Sequence, residues 1–271
     1  MNLLYVQDSS LVAKHWNGDA FGDEELIATS VKPDSAAAYV LTDTTRYAFF
    51  VNDASKLGAV AYDADEEEWV PIDKFPNLPV APAGQVTAGI DEGKLSVFFQ
   101  NASGQLVHLD EQWKATILPA SGVTPGSPLA IMYVDGKTSV LYVTEGAIHG
   151  VRAGEAGKWE MISFTGGRME GEKLVRMVPS AIPTEKGLEY AVFALTSTGK
   201  LVKLSLAEKE LETLGTVSDS GRFVAKSSAE NAMSYGSSSF IYRNRQPPPF
   251  FGTWEDLERR SKMSGCVPYW C

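Results

Sequence analysis

The sequence predicts an all-β fold, specifically a β-propeller, on three observations. Six related apolar segments recur along the chain, at intervals of 45, 49, 43, 51 and 49 residues. Repeats of about 40 to 50 residues with several strands each are typical of propellers. Each segment is also rich in β-branched and aromatic residues, as strands buried on both faces are. The aromatic residues that these segments place in register are Tyr5, Phe50, Phe99, Tyr142, Phe193 and Tyr242.

The fourth repeat shows four strands per unit most clearly. An inner strand over 128–134 leads through Asp135 and Gly136 into the central strand, and a third strand over 147–153 precedes an outer strand that opens at Trp159. An Asp-Gly pair between apolar runs is a strong hairpin signal, because both turn residues need positive φ. Four antiparallel strands form a propeller blade.

The blade count follows from the copies and from the two chain ends. The six copies of the repeated apolar segment predict six blades. Five blades are the alternative if the last copy only completes the first blade. No room for an inner strand exists before Leu3, so we expect the N- and C-terminal segments to pair and close the ring. The prolines at 247–249 end the repeat pattern, which predicts a propeller over 1–245 and a Pro-rich exit with an aromatic tail over 246–271.

Composition excludes several classes of function. A formal charge of −10 and a pI near 4.9 argue against binding nucleic acid, which needs clustered Lys and Arg. No apolar run reaches the ~18 residues that span a bilayer, and no signal peptide opens the chain, so we expect no membrane role and a protein that is cytoplasmic or exported without a classical signal. No cofactor or metal motif occurs, and the two cysteines, Cys266 and Cys271, lie outside the repeats.

Two residue types are candidates for a site. Tryptophans fall where outer strands begin, and each could pack between blades or stack on a sugar; those named as ligand-binding candidates are Trp69, Trp113 and Trp159. Histidine titrates near neutral pH, so His108 and His149 would be the acid–base groups if the protein were an enzyme. They belong to different blades, and a structural role is the interpretation that we favour for each.

The segments 96–109 and 126–143, with the outer-strand tryptophan, resemble the fungal fucose-specific lectin family. The likeness covers residues 1 to about 245 as a repeat pattern. It implies a six-bladed propeller in which fucose lies between blades. In that family an Arg that opens the central strand and a Glu about twelve residues later hold the sugar, and aromatic residues of the next blade cover it.

This sequence departs from the family at those positions. No blade keeps the Arg and Glu pair; the expected Arg positions hold Asn2, Tyr47, Ser96, Ser139, Tyr190 and Ser239. Arg46 lies one residue away from its expected place, and strand alternation turns it to the opposite face unless a bulge intervenes.

Three functions therefore remain open at the level of sequence. The first is a lectin-like protein with degenerate sites between blades, in which Arg46 and the three tryptophans bind a glycan. The second is a small-molecule biosynthetic enzyme (a cyclase, isomerase or hydrolase) that uses the central cavity. The third is a scaffold that binds a protein partner. Oligomeric state does not follow from the sequence.

Overall fold

The computed structural model describes residues 2–226, apart from positions 34, 92, 135–136, 186 and 219–220. Within this part of the chain, twenty strands form five sheets, and the one helical element is a 3₁₀ turn at Glu155–Gly157. No helix among these residues is long and apolar enough to cross a membrane. The sixth copy of the repeat, the predicted closure of the ring, the tail over 246–271 and both cysteines lie outside the described residues.

All five sheets are antiparallel, and each takes its strands from one continuous stretch of chain. The first sheet contains β1 (Asn2–Gln7), β2 (Ser10–Trp16) and β3 (Phe21–Ala28). The second contains β4 (Ala37–Leu41), β5 (Arg46–Val51), β6 (Leu57–Asp63) and β7 (Glu68–Pro71). The third contains β8 (Val86–Asp91), β9 (Lys94–Gln100), β10 (Leu106–Leu109) and β11 (Ala115–Ile117).

The last two sheets are longer. The fourth sheet contains β12 (Ala130–Val134), β13 (Lys137–Thr144), β14 (Ala147–Ala153) and β15 (Trp159–Arg168). The fifth contains β16 (Leu174–Thr184), β17 (Gly187–Thr196), β18 (Lys200–Ser205), β19 (Leu211–Val217) and β20 (Phe223–Ala225). In the described part of the chain, the first sheet has three strands because nothing pairs with β1 opposite β2, and the fifth gains β20 at its outer edge.

The prediction of a propeller with antiparallel, basically four-stranded blades is confirmed. The described residues form five blades, which is the alternative count, and each of the first five copies of the repeated segment lies in a sheet of its own. The turn between β13 and β14 shows why the repeats close tightly. Glu145 and Gly146 have φ of 49° and 76°, and a side chain on Gly146 would come within 2.6 Å of the Met169 carbonyl oxygen.

Four apolar cores join consecutive sheets, so the central strand of each of the second, third and fourth sheets buries both faces. Its alternate residues pack on the preceding and on the following sheet. The largest side chains with under 2% exposure include Phe49, Phe98, Phe99 and Tyr142, and burial of each contributes about 2–3 kcal/mol. We call the four interfaces the first to fourth clefts, in chain order, the first cleft lying between the first and second sheets.

The alternation identifies one misplaced residue in the alignment of the repeats. In the second to fourth sheets the aligned aromatic residue packs on the preceding sheet, as Phe50 and Tyr142 do. In the fifth sheet, Val192 and Ala194 pack on the preceding sheet. Phe193 lies between them and points to the other face, so the alignment there is shifted by one residue.

Candidate functional site

The three candidate tryptophans lie in three successive clefts. Trp69 packs in the first cleft, Trp113 in the second and Trp159 in the third, each against a core shared with the preceding sheet. Trp69 belongs to β7 and Trp159 opens β15, but Trp113 lies in the turn before β11 with a φ of 61°. Their surroundings differ, and only the first cleft combines an indole ring with a guanidinium and a carboxylate among the described residues.

Arg46, Glu25 and Trp69 form one hydrogen-bonded cluster in the first cleft. Arg46 Nη1 lies 3.3 Å from Glu25 Oε1 and 3.5 Å from Oε2. Trp69 Nε1 donates to Glu25 Oε1 at 2.9 Å. The Arg46 and Glu25 side chains remain 27% and 41% exposed, so a ligand can reach both. Within the described residues, the cluster thus offers unused guanidinium donors and carboxylate lone pairs at the mouth of the cleft.

Aromatic rings hold the guanidinium in place. The Arg46 guanidinium carbon lies 3.5 Å from the centroid of the Tyr62 ring and 5.2 Å from that of Trp69. Trp69 in turn makes edge contacts with Tyr62 at 5.6 Å and with Tyr39 at 5.9 Å between ring centroids. A stacked guanidinium is attracted to the ring face and loses little entropy when it binds. Arg46 is therefore preorganised.

Strand alternation explains how the charges meet. Arg46 shares a face of β5 with Ala48 and Phe50, which pack on the first sheet, while Tyr47 and Phe49 pack on the third. The ladders from β5 to β4 and β6 run without a register shift, so no bulge returns Arg46 to the face of Tyr47. Glu25 comes from β3, the outer strand of the first sheet. The Arg of this cluster thus belongs to the following sheet and the Glu to the preceding one.

Trp113 and Trp159 are packed more as core residues. Trp113 contacts Phe75 at 5.0 Å and Phe49 at 6.3 Å between ring centroids. Trp159 contacts Phe98 at 5.6 Å and His108 at 5.0 Å. Neither has a charged hydrogen-bonding pair beside it in the part of the chain that the structure describes. Their packing places the candidate ligand site in the first cleft.

The two histidines are not brought together. His108 stacks on Phe98 at 5.0 Å and lies 3.1 Å from Ser96 Oγ, while His149 stacks on Tyr142 at 5.9 Å in the next sheet. Burial lowers the pKa of His108 below its usual range, and the attraction of Asp110 only partly offsets this. No group of three His, Cys, Asp or Glu among the described residues could hold a metal ion.

A cavity of about 430 Å³ lies elsewhere, between the β13–β14 turn and the segment that leads into β16. Its wall includes Ser127, Glu145 and Glu172, and neither candidate histidine lines it. Hydrogen bonds from Lys200, Thr198 and Thr196, in that order, lower the pKa of Glu172 to about 2. A carboxylate bound in this way supports the wall and is a poor proton donor.

Glu25 is the site residue that the sequence did not indicate. It lies 21 residues before Arg46 and in another sheet. The signal that could have found it is the run Asp23-Glu24-Glu25 at an outer-strand position, where alternate residues face the following sheet.

Comparison with known proteins identifies the architecture. No family model and no curated protein matches the chain. AofleA from Arthrobotrys oligospora has a TM-score of 0.59 at 14% identity, over 79% of this chain and 70% of that one. The fungal lectin from Aleuria aurantia, described as a six-bladed propeller with a novel fucose recognition mode, has 0.56 at 14%, over 79% and 72%. The SapL1 lectin, solved with alpha methyl fucoside, has 0.58 at 14%, over 78% and 74%.

The likeness establishes the propeller fold. The solved neighbours include fucose-specific lectins, but identities of this size do not show membership of their family. Five blades are described here, against the six of the Aleuria aurantia lectin.

Proposed function

We propose that the protein is a carbohydrate-binding propeller that recognises a glycan through the first cleft. The observation that carries the proposal is the cluster of Arg46, Glu25 and Trp69, in which a charged pair and an indole ring share one partly exposed interface. A guanidinium and a carboxylate can together bind neighbouring hydroxyls, and an aromatic ring covers the apolar face of a sugar. The structural neighbours are lectins, which supports the same class of ligand.

The proposed site differs in its arrangement from the fucose site of the lectin family that the sequence resembles. The pair that binds fucose in the resembling family comes from one blade, whereas here each sheet contributes one charge. The proposal therefore specifies a glycan ligand and leaves its identity to be measured. The charges of Arg46 and Glu25 balance, which favours a neutral sugar.

The test is a glycan-array screen of the full chain, followed by titration of the best ligand into variants. Arg46→Lys keeps the charge but loses the planar donor set, and we expect affinity to fall by about tenfold or more. Glu25→Gln removes the carboxylate and should have a similar effect. Trp69→Phe keeps an aromatic ring but loses the hydrogen bond to Glu25, so its affinity for the glycan should fall by less.

Arg168→Lys is the matched control, because Arg168 is 63% exposed and lies 3.8 Å from its carboxylate partner. It should bind like the parent protein. Thermal unfolding of each variant confirms that the fold is retained. No glycan binding by the parent protein, or full binding by Arg46→Lys and Glu25→Gln, would refute the proposal.

A further inference from the structure

The segments that lead from one sheet into the next, here called linkers, share one conformation in the first three cases. These linkers contain the pattern Val-x-Pro at 31–33, 80–82 and 123–125. The backbone N–H of the middle residue donates at 2.9 Å to the central strand of the following sheet, from Lys32 to Val51, from Ala81 to Gln100 and from Thr124 to Val143. A turn then closes with a hydrogen bond back to the carbonyl of that middle residue.

The fourth linker departs from this conformation. Met169 takes the place of the linker valine, because its N–H donates to the Gly146 carbonyl at 2.8 Å, as the first two linker valines donate to the turn of the sheet before them. Gly171, with a φ of 75°, then stands where the other linkers have proline, which cannot adopt that φ. Within the described residues, the Glu170 N–H makes no backbone hydrogen bond to the fifth sheet, and no turn bond closes this linker.

The departure leaves space between neighbouring linkers. The first linker touches the second, since Lys32 Nζ donates to the Pro82 carbonyl at 2.8 Å. The second touches the third, where a Cβ atom added to Gly126 would lie 3.0 Å from Ala83 Cβ. Between the third and the fourth linkers lies the cavity of about 430 Å³ described above. Its volume is within the range of small-ligand pockets, near the lower end.

This cavity lies at the end of the sheets opposite to the first-cleft cluster. Arg46 is the first residue of β5, whereas Val143 lies near the end of β13 and Glu145 in the turn after it. Equivalent strands of successive blades run in the same direction, so the two places belong to opposite faces of the propeller. None of the described residues that line the cavity is aromatic. It therefore offers no ring for a sugar.

The cavity has one carboxylate and one ammonium group without partners. Glu145 and Lys173 both line it, and within the described residues neither side chain makes an ion pair or a hydrogen bond. With Lys200 included, which bonds to Glu172 from behind the wall, the carboxylates and the cations around the cavity are equal in number. Two unpaired groups of opposite charge favour a ligand that carries both charges. The remaining charged groups are already paired, as Glu172 with Lys200 and Arg168 with Glu170.

Apolar side chains form much of the remaining lining. Val143, Met169 and Leu174 are 6%, 7% and 2% exposed, and all three line the cavity. The Ser127 hydroxyl accepts the Val143 N–H at 2.7 Å and donates to the Pro128 carbonyl at 2.9 Å, so this part of the wall is fixed. An apolar group of a ligand would lose its contact with water on this lining.

We propose that this cavity binds a free α-amino acid with an apolar side chain. Glu145 accepts hydrogen bonds from the α-ammonium group, and Lys173 donates to the α-carboxylate. Such charge-assisted hydrogen bonds are stronger than neutral ones. The ligand side chain packs on Val143, Met169 and Leu174. A cavity of this size suits one amino acid better than a peptide, and the inference does not depend on the proposed glycan site.

The test is methyl NMR of the full chain with labelled methionine methyl groups. Met169 lines the cavity, whereas Met161 of β15 does not and is 48% exposed. The probes are leucine, valine and phenylalanine, titrated separately. We expect at least one of them to shift the Met169 signal with saturation and to leave the Met161 signal unchanged. The N-acetyl derivative of the best ligand lacks the ammonium group and its amide lacks the carboxylate, so each should bind about tenfold or more weakly.

Variants then assign the response to the two charged residues. Glu145→Gln and Lys173→Gln should each weaken the Met169 response by about tenfold or more. Glu67→Gln is the matched control for the first, because Glu67 is also an exposed turn residue with positive φ, 54° against 49° for Glu145. Lys74→Gln, at a side chain that is 89% exposed, is the control for the second. Both controls should bind like the parent protein, and thermal unfolding checks that every variant folds.

The outcomes decide the proposal. Silence of the Met169 methyl with all three amino acids overturns it. Equal binding of the N-acetyl and amide derivatives overturns recognition of the two charges, and this comparison uses the unaltered chain. A Met169 response that survives both Glu145→Gln and Lys173→Gln overturns the assignment of these residues. Glycan binding should be unchanged in both variants, so the amino-acid site and the glycan site are tested separately.

Discussion

Replacement of His108 tests whether this residue is a core aromatic or a titrating functional group. Its ring stacks on Phe98 with an interplanar angle of 26° and contacts Trp159, and burial lowers its pKa. A histidine in the unfolded chain titrates near pH 6.5. As the pH falls through that value, the unfolded state binds the proton first, so the folded state loses stability. Above the unfolded pKa this contribution to stability is fully present.

The size of the effect follows from linkage. Between the unfolded and the folded pKa, one proton changes the free energy of unfolding by at most about 1.4 kcal/mol per pH unit. For a domain of this size that is a fall of about 3–5 °C in the melting temperature per pH unit. Below the folded pKa the loss levels off. His108→Gln can keep a hydrogen bond to Ser96 and does not titrate, so it should lack this loss.

The assay is thermal unfolding of both proteins between pH 7.5 and pH 5. At pH 7.5 the variant should be less stable, because it loses ring contacts worth about 0.5–1.5 kcal/mol each. On acidification the gap should narrow. His15→Gln replaces an exposed histidine and is the control for the general effect of a histidine-to-glutamine change on stability. A gap that stays constant or widens as the pH falls would refute the assignment of His108 as a neutral core residue.

Two further substitutions test packing. Trp113→Ala should lower the free energy of unfolding by about 3 kcal/mol in a denaturant titration, because the Trp113 ring contacts Phe49 and Phe75 in the second cleft. Glycan binding should not change. A variant that loses glycan binding and keeps its full stability would contradict this prediction. Gly166→Ala should destabilise the fold by about 2 kcal/mol or more, because the new methyl group would lie 1.9 Å from the Glu208 carbonyl oxygen. Gly22→Ala meets nothing closer than 3.7 Å and should be near neutral, and equal melting temperatures for the two variants would contradict the prediction.

The strand order could be predicted from sequence because the repeats encode it several times. Aromatic and β-branched runs mark the central strands, and tight turns fix the hairpins around them. The alignment of the fifth repeat is wrong by one residue. Its core positions hold the small residues Val192 and Ala194, and the alignment on aromatic residues therefore selects Phe193, which lies between them. Side-chain type alone does not identify the face of a strand when a strand is buried on both sides.

The site could be predicted only in part. The repeat pattern indicates Trp69 and Arg46 as candidates, and the structure brings them together. Glu25 could not be found in this way, because it reaches across an interface from another repeat. Register shifts near Leu11 and Lys14 also change which residues of β3 face the second sheet. Spacing within a repeat carries no information on such a contact.

Ion pairs alone do not identify a sugar site in this protein. Lys14 Nζ lies 3.0 Å from Glu24 Oε1, and the Tyr5 hydroxyl donates a hydrogen bond to the same carboxylate. These residues nevertheless occupy the face of the first sheet that is turned away from the second sheet. Such an exposed pair contributes little and gives a ligand no apolar wall. The Arg46 cluster differs in that aromatic rings fix the guanidinium, and an indole N–H holds the carboxylate. Preorganised charges beside a ring are what a weakly hydrophobic, hydroxyl-rich ligand requires, and this combination is the reason why we propose a glycan site in the first cleft.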